Sequence, residues 1–319
     1  MTKIKTFYIS FIVLIFVLTI TIFFVLRGPS NNRKVTIVTN PELVKSVLNV
    51  IKEKNLLDQY LPESVEVDWV NIDGTSNIRD ALSTGQADIG PLGTIGYINA
   101  IEKQYPLYLI SNSDNVALYL VSNNDSIKTI GDLYRVKKIA INSLGSSAHV
   151  ALQIFAKENF GDYHYFDDNL LSPGQDVITN SILTSKDIDA AVVNINQYFL
   201  LKDKVTLVKR IDKDELPLSN YLVSNIDFAN KNQDIIEAFY RATEKAIDYL
   251  NVSSNDASKF LAPFYNLSPE QVLSELENNK RQISIINYDT ISQTLYDLKL
   301  LEKKPTLYID LPKYNELQK

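Results

Sequence analysis

The chain has 319 residues, enough for one large domain or two of medium size. It has no cysteine and only two histidines, His149 and His164, which excludes disulfides, cysteine nucleophiles and cysteine- or histidine-rich metal sites. The formal net charge is −6 and no cluster of lysine and arginine occurs, so we expect neither a nucleic-acid partner nor a metal or other cofactor.

The first predicted element is an uncharged stretch of 20 residues at positions 7–26. As a helix it would be about 30 Å long, enough to cross a bilayer. Lys3 and Lys5 precede it, as in an export signal, but no small-x-small cleavage site follows it. We therefore predict a single-pass membrane anchor in residues 1–26 with the soluble domain extracytoplasmic. A cleaved signal peptide is the alternative, and cations on both sides leave the membrane orientation open.

After a polar linker over residues 27–34, strands alternate with helices, which is typical of a mostly parallel sheet. In the first part of the chain we predict strands at 35–38, 65–70, 87–92 and 106–110, and helices that begin at Asn40, Ser76 and Thr94. The pattern resumes with a strand at 138–141 and with helices from Ser146 and from about residue 175. The last third is predicted to be helical, over residues 232–250, 254–265, 268–279 and 288–301.

A repeated pattern indicates two similar α/β lobes. Residues 81–93 align without gaps with residues 182–194, so that Asp88 matches Asp189 and Gly93 matches Asn194. We expect the two aspartates to bind local backbone N–H groups in separate lobes and not to act together as acid and base. The short apolar segments 119–122 and 221–224 are also alike and are predicted hinge strands. The predicted division is residues 35–122 and 221–319 for the first lobe, and 123–220 for the second.

Small polar residues stand where the predicted strands end and the next helices begin. In an open α/β sheet ligands bind beyond these carboxyl ends, and helix N-termini can hold an anion without lysine or arginine. The candidate ligand contacts are Thr39, Asn40, Gly93, Thr94, Tyr97, Asn112, Ser143, Ser146, Ser147 and Asn194. Each serine, threonine or asparagine is alternatively only a helix cap. His149, one turn inside its helix, is expected to be partly exposed.

Motifs of common enzymes are missing from the sequence. It contains no Gly-x-Ser-x-Gly elbow, no phosphate-binding loop and no Gly-x-Gly-x-x-Gly. Ser146 and His149 lie close together in sequence without an acidic residue placed to complete a triad. We therefore predict a binding protein and not an enzyme.

The order of four segments resembles a known family: residues 85–93, 125–133, 137–141 and 267–271 are similar to the solute-binding proteins of ABC importers. The nearest branch is that for nitrate, sulfonate, taurine and thiamine-pyrimidine-like ligands, and the resemblance covers residues 35–318. It implies a type II periplasmic-binding fold with two crossover segments, ligand held between the lobes and C-terminal helices packed on the first lobe. It carries Asn40, Gly93, Thr94, Ser146, Ser147 and Asn194 over as ligand contacts.

Two departures from the family pattern occur. The loop at residues 132–137 is one residue longer than usual and lacks glycine, and the cysteine that carries a lipid anchor is missing. The sequence therefore predicts a monomeric, membrane-anchored receptor that delivers a small polar or anionic solute to an ABC permease and its ATPase. The alternatives are a ligand-sensing module without transport and an enzyme on the same fold. The absence of cysteine argues against the related pyrimidine synthases, which use a cysteine-rich motif.

Overall fold

A computed structural model describes residues 33–40, 46–72, 74–173, 175–184, 187–211, 218–284 and 288–305. The predicted membrane anchor and most of the predicted linker lie outside these residues. Within them, no helix combines the length and the apolar character needed to span a bilayer.

The first sheet has five strands in the order β2-β1-β3-β10-β4. Their bounds are Arg33–Thr39 for β1, Val65–Asn71 for β2, Ile89–Gly93 for β3, Leu107–Asn115 for β4 and Ser219–Asn225 for β10. β1 runs parallel to β2 and β3, whereas β10 is antiparallel to both β3 and β4. The helices between these strands are α1 (Ser46–Glu53, the described part), α2 (Thr75–Thr84) and α3 (Thr94–Glu102).

The second sheet also has five strands, in the order β7-β6-β8-β5-β9. Their bounds are Leu118–Ser122 for β5, Ile139–Ala140 for β6, Leu170–Leu171 for β7, Ala190–Asn194 for β8 and Thr206–Arg210 for β9. Its helices are α4 (Ser147–Phe160), α5 (Gln175–Thr184) and α6 (Ile195–Leu201). β5 is antiparallel to β8, as β10 is to β3 in the first sheet.

The C-terminal part is helical, as the sequence predicts. It forms α7 (Ile226–Lys231), α8 (Gln233–Val252), α9 (Ser254–Tyr265), α10 (Pro269–Asn278) and α11 (Tyr288–Asp297). The predicted capping box at Ser268 is present, since the Ser268 hydroxyl accepts from the Gln271 N–H. Phe239, Leu261 and Leu276 share one hydrophobic core with Ile37 of β1, which fixes these helices on the first lobe.

The repeated sequence is a repeated structural unit. The Asp88 carboxylate accepts from the Thr36 N–H at 2.8 Å, and the Asp189 carboxylate accepts from the Lys138 N–H at 3.1 Å. This confirms that each aspartate binds local backbone. The antiparallel partner strands follow the same register: Ser224 and Ser122 each donate to the carbonyl of the corresponding aspartate at 2.7 Å.

The two segments predicted as hinge strands therefore lie inside sheets. β5, placed in the first lobe by the sequence division, is paired with β8 and β9 in the second sheet. The chain leaves the first sheet after Asn115 and returns to it at Ser219. The similarity of residues 119–122 to residues 221–224 has a different cause, because each segment supplies the antiparallel strand of one lobe.

A buried ionic cluster joins distant parts of the first lobe. Arg281 donates from Nε to Asp114 at 2.7 Å and from Nη2 to Glu275 at 3.0 Å. The Ser46 hydroxyl and the Val47 N–H of α1 also bind the Asp114 carboxylate. Burial alone would lower the pKa of Arg281, but Glu275 and Asp114 raise it above its ordinary value, so the guanidinium stays charged. The cluster ties α1, β4 and α10 together.

Removing one member of this cluster leaves buried charge unpaired. We expect Arg281→Met to lower the free energy of unfolding by about 3–5 kcal/mol, measured by urea unfolding followed by circular dichroism. The matched control is Arg241→Met, which removes an exposed pair with Glu237 and is expected to leave stability nearly unchanged. Equal unfolding midpoints for the two variants would contradict this assignment.

Candidate functional site

A cleft of about 540 Å³ lies between the two lobes. Five of the predicted ligand contacts line it: Gly93 from the first lobe, and Ser143, Ser146, Ser147 and Asn194 from the second. They come from the end of β3, the start of α4 and the end of β8. The fold thus brings the carboxyl ends of strands from both sheets to a single space, as the repeated pattern predicts.

On the second lobe, the N-terminus of α4 forms one wall of the cleft. Ser146 is its N-cap: its hydroxyl accepts from the His149 N–H at 3.3 Å and donates to Asn142 Oδ1 at 2.7 Å. The next residue, Ser147, is half-buried, and its hydroxyl has no hydrogen-bond partner among the described residues. The Ser147 hydroxyl and the free N–H groups of this first turn are therefore available to a ligand.

Asn194 performs two tasks at the end of β8. Its Oδ1 accepts from the Gln197 N–H at 3.0 Å, which completes a capping box at the start of α6. Within the described part of the chain, its Nδ2 group has no intramolecular acceptor, and the residue lines the cleft. An amide at this position can therefore cap a helix and still donate to a ligand.

On the first lobe, Gly93 marks the closest approach to the opposite wall. It ends β3 and is the N-cap of α3, with an extended backbone. A Cβ atom added at Gly93 would lie 3.7 Å from Asn220 Oδ1 and 4.0 Å from Ser147 Oγ. The missing side chain therefore leaves room between the lobes, where the N-termini of α3 and α4 meet the same space.

Three predicted contacts are in the interior of the first lobe and do not line the cleft. The Thr94 hydroxyl donates to the Ser219 carbonyl at 2.7 Å, which attaches α3 to β10. Tyr97 is completely buried beside Tyr221 and Tyr288, with ring centroids 5.6 and 6.4 Å away. Helical periodicity explains this outcome, because the apolar face of α3 turns these residues toward the sheet.

Asn112, Thr39 and Asn40 also serve the first lobe. Asn112 is buried and donates from Nδ2 to the Gln282 carbonyl at 2.8 Å. The Thr39 hydroxyl donates to the Val70 carbonyl, and Asn40 Nδ2 donates to the Ile72 carbonyl at 2.8 Å. These bonds hold the ends of β1 and β2 together. The three residues are not part of the cleft lining described above.

Sequence reasoning missed several residues that line the cleft. Asn220 directly precedes the segment that matches β5, and Arg79 lies one turn inside α2. Arg79 donates to Asp80 at 2.7 Å and stacks over the Tyr105 ring at 4.8 Å. The cleft therefore has cationic groups, although the predicted contact segments contain none. The other overlooked lining residues include Thr75, Ser76, Asn99, Lys103, Asn142, Leu144 and Asn196.

His149 is buried, with 7% exposure, which corrects the prediction that it is partly exposed. Its Nδ1 atom accepts from the Gly145 N–H at 3.0 Å, so the imidazole turns back under the loop that precedes α4. Burial lowers the pKa of His149, and the nearby His164 lowers it further, against an opposing effect of Asp167.

Two α/β lobes around a cleft, with a chain that passes from the first to the second and returns, define a periplasmic-binding-protein-like fold. The chain belongs to the NMT1/THI5-like family, which matches residues 59–255. No curated protein is a significant sequence match.

Solved structures share this fold. The alkanesulfonate-binding protein SsuA from Xanthomonas axonopodis pv. citri, bound to MOPS, is similar with a TM-score of 0.71, 20% identity, and coverage of 86% of this chain and 96% of that chain. The periplasmic aliphatic sulphonate binding protein SsuA from Escherichia coli gives 0.70, 20%, 86% and 90%. DszB, an enzyme in complex with biphenyl-2-sulfinic acid, gives 0.64, 13%, 86% and 95%. These identities define the fold and not the ligand.

The approach of the two walls can be tested with an engineered disulfide, since the natural chain has no cysteine. We expect Gly93→Cys combined with Ser147→Cys to form a bond under mild oxidation, because the modified positions lie within disulfide reach. A thiol assay would then detect no free sulfhydryl in the denatured double variant. Each single variant serves as a control and retains one thiol. A double variant that keeps both thiols would contradict this cleft geometry.

Proposed function

We propose that this protein is an extracytoplasmic receptor that captures a small anionic solute between its lobes and delivers it to the permease and ATPase of an ABC importer. One observation carries the proposal: the N-termini of α3 and α4, from opposite lobes, line a single cleft beside Ser147. Helix N-termini carry free N–H groups and a partial positive charge. They bind a ligand that belongs to neither lobe and so favour the closed arrangement.

The character of the cleft favours an oxyanion over a cation. Hydroxyl and amide groups from Ser147, Asn194 and Asn220 are joined by Arg79 and Lys103 at the edge. Two of the lining carboxylates, Asp114 and Glu275, are already paired with Arg281. The remaining polar groups are mostly donors, which suit the three oxygens of a sulfonate or nitrate group.

An apolar portion of the lining suits a short organic group attached to the anion. Leu118 and Val192 line the cleft from the second sheet, and Leu144, which is 66% exposed, stands in the loop before α4. The similar structures of known ligand are named for sulfonates, which supports a ligand of this class here. We propose an aliphatic sulfonate or a closely related anion.

The proposed location is the outer face of a cell membrane, with the uncharged stretch at residues 7–26 as a single-pass anchor. Such an anchor would keep a monomeric receptor near its permease without a lipid-modified cysteine. An enzymatic function is the second candidate, and the likeness to DszB is the observation in its favour.

The proposal predicts selective binding of anions. The purified full-length chain in detergent is titrated with methanesulfonate, ethanesulfonate, taurine and nitrate, and unfolding temperature and heat of binding are recorded. Dimethyl sulfone, which has the shape of methanesulfonate without its charge, is the matched control. We expect at least one anion to raise the unfolding temperature and the sulfone to have no effect. An equal response to both, or to no anion, would overturn the anion proposal. Turnover of any bound compound would instead support an enzyme.

Serine substitutions separate ligand binding from helix capping. We expect Ser147→Ala to weaken binding of the responding anion by about 0.5–1.5 kcal/mol without a change in stability, because it loses only a donor to the ligand. Ser146→Ala should reduce both affinity and stability, since Ser146 also caps α4. Ser268→Ala removes an equivalent cap on α10, far along the chain, and should reduce stability alone. Calorimetry and urea unfolding measure the two effects. Unchanged affinity in Ser147→Ala would remove that residue from the site.

A further inference from the structure

The loop at residues 142–147 carries three of the residues that line the cleft, and one side chain supports it from beneath. Nδ1 of the buried His149 accepts the Gly145 N–H at 3.0 Å. Gly145 has a φ of +71°, a conformation that side chains other than glycine rarely adopt. A backbone N–H can only donate, so Nδ1 must present its lone pair to Gly145, and the imidazole proton must be on Nε2.

Other hydrogen bonds in this region are internal to the loop and the first turn of α4. The Ser146 hydroxyl donates to Asn142 Oδ1, and it accepts the backbone N–H of His149 itself. His149 therefore holds the loop twice, through its main chain at Ser146 and through its ring at Gly145. Ser143, Ser146 and Ser147 face the cleft from the same loop. The position of the proposed donors thus depends on the acceptor at Nδ1.

We propose that His149 is a positioning residue that holds the 142–147 loop in its ligand-binding geometry only while its imidazole is neutral, so that acidification weakens ligand capture. This inference rests on the proposed function, since the loop is assigned to the binding site there. Protonation would place an N–H at Nδ1 opposite the Gly145 N–H. Two donors facing each other cannot bond, and the loop would have to move away or the ring would have to turn.

The surroundings of His149 place this change in an accessible pH range. Burial is the first cause that lowers its pKa below the ordinary value of 6.5; His164 also lowers it, whereas Asp167 raises it. Both of these charged groups come from the segment that follows α4, and among the described residues they are the titratable groups that act on the ring. His149 Nε2 is buried without a hydrogen-bond partner in the described part of the chain. A lowered pKa means that the held state is complete above about pH 6.5 and is lost as the pH falls below it.

Three variants distinguish positioning from packing. His149→Asn keeps a side-chain acceptor near the place of Nδ1 but cannot titrate. His149→Leu fills part of the volume without an acceptor. His164→Gln removes the other histidine of the chain, which is exposed and pairs with Asp167. Because the chain has only two histidines, a titration between about pH 5 and pH 8 has only two candidate histidines.

Affinity of the full-length chain for ethanesulfonate is measured by calorimetry from about pH 8 down to about pH 4.5. We expect the wild-type chain and His164→Gln to bind about five- to tenfold more weakly at the acidic end, the loss expected for one hydrogen bond. His149→Asn should bind with little dependence on pH, and His149→Leu should bind weakly throughout. A flat wild-type profile, or a profile that His164→Gln abolishes, would overturn the inference.

A second measurement needs no ligand and so separates this inference from the proposed function. In the ¹⁵N-glycine-labelled full-length chain, the Gly145 amide resonance should shift with the titration of His149 and should be insensitive to pH in His149→Asn. If ethanesulfonate fails to bind but this amide follows His149, the loop device stands and the proposed ligand is wrong. If the amide does not follow His149, the inference fails whatever the protein binds.

Discussion

The antiparallel insertion of β10 between β3 and β4 is the interaction on which the rest of the structure depends. β10 is buried along its whole length, and its residues pair with β3 on one side and β4 on the other. This pairing returns the chain to the first lobe after the second lobe is complete. It also brings Asn220 beside Gly93 and starts the helical part that covers the first sheet. The second lobe uses the same solution, with β5 beside β8.

The cleft and the buried ionic cluster show two different uses of polar groups. Arg281, Asp114 and Glu275 satisfy one another inside the first lobe, where an unpaired charge would be costly. In the cleft the groups at the centre are hydroxyls, amides and helix N-termini, which carry no net charge to be compensated in the empty state. Such groups can bind an anion and release it again, because the cost of separating them from water is modest in both states.

Helix α4 couples the binding surface to the stability of the second lobe. Ser146 is at once its cap and a part of the cleft wall, and His149, one turn later, supports the preceding loop. Groups with a structural role therefore lie directly behind groups available to a ligand. A change at Ser146 or His149 affects the order of the loop as well as the contacts it offers, whereas Ser147 belongs to the cleft alone. Binding and local order are consequently linked in this part of the molecule.

The sequence by itself determined the local units: the alternation of strands and helices, the Ser268 capping box, the roles of Asp88 and Asp189, and the presence of two similar lobes. These follow from periodicity and capping, which depend on neighbouring residues. It placed Gly93, Ser147 and Asn194 at the cleft because strand ends share one edge of a sheet. Only the tertiary structure decided that β5 belongs to the second sheet, that Tyr97 is buried and that Asn220 and Arg79 reach the cleft. Those outcomes depend on contacts between residues far apart in the chain, which no local pattern records.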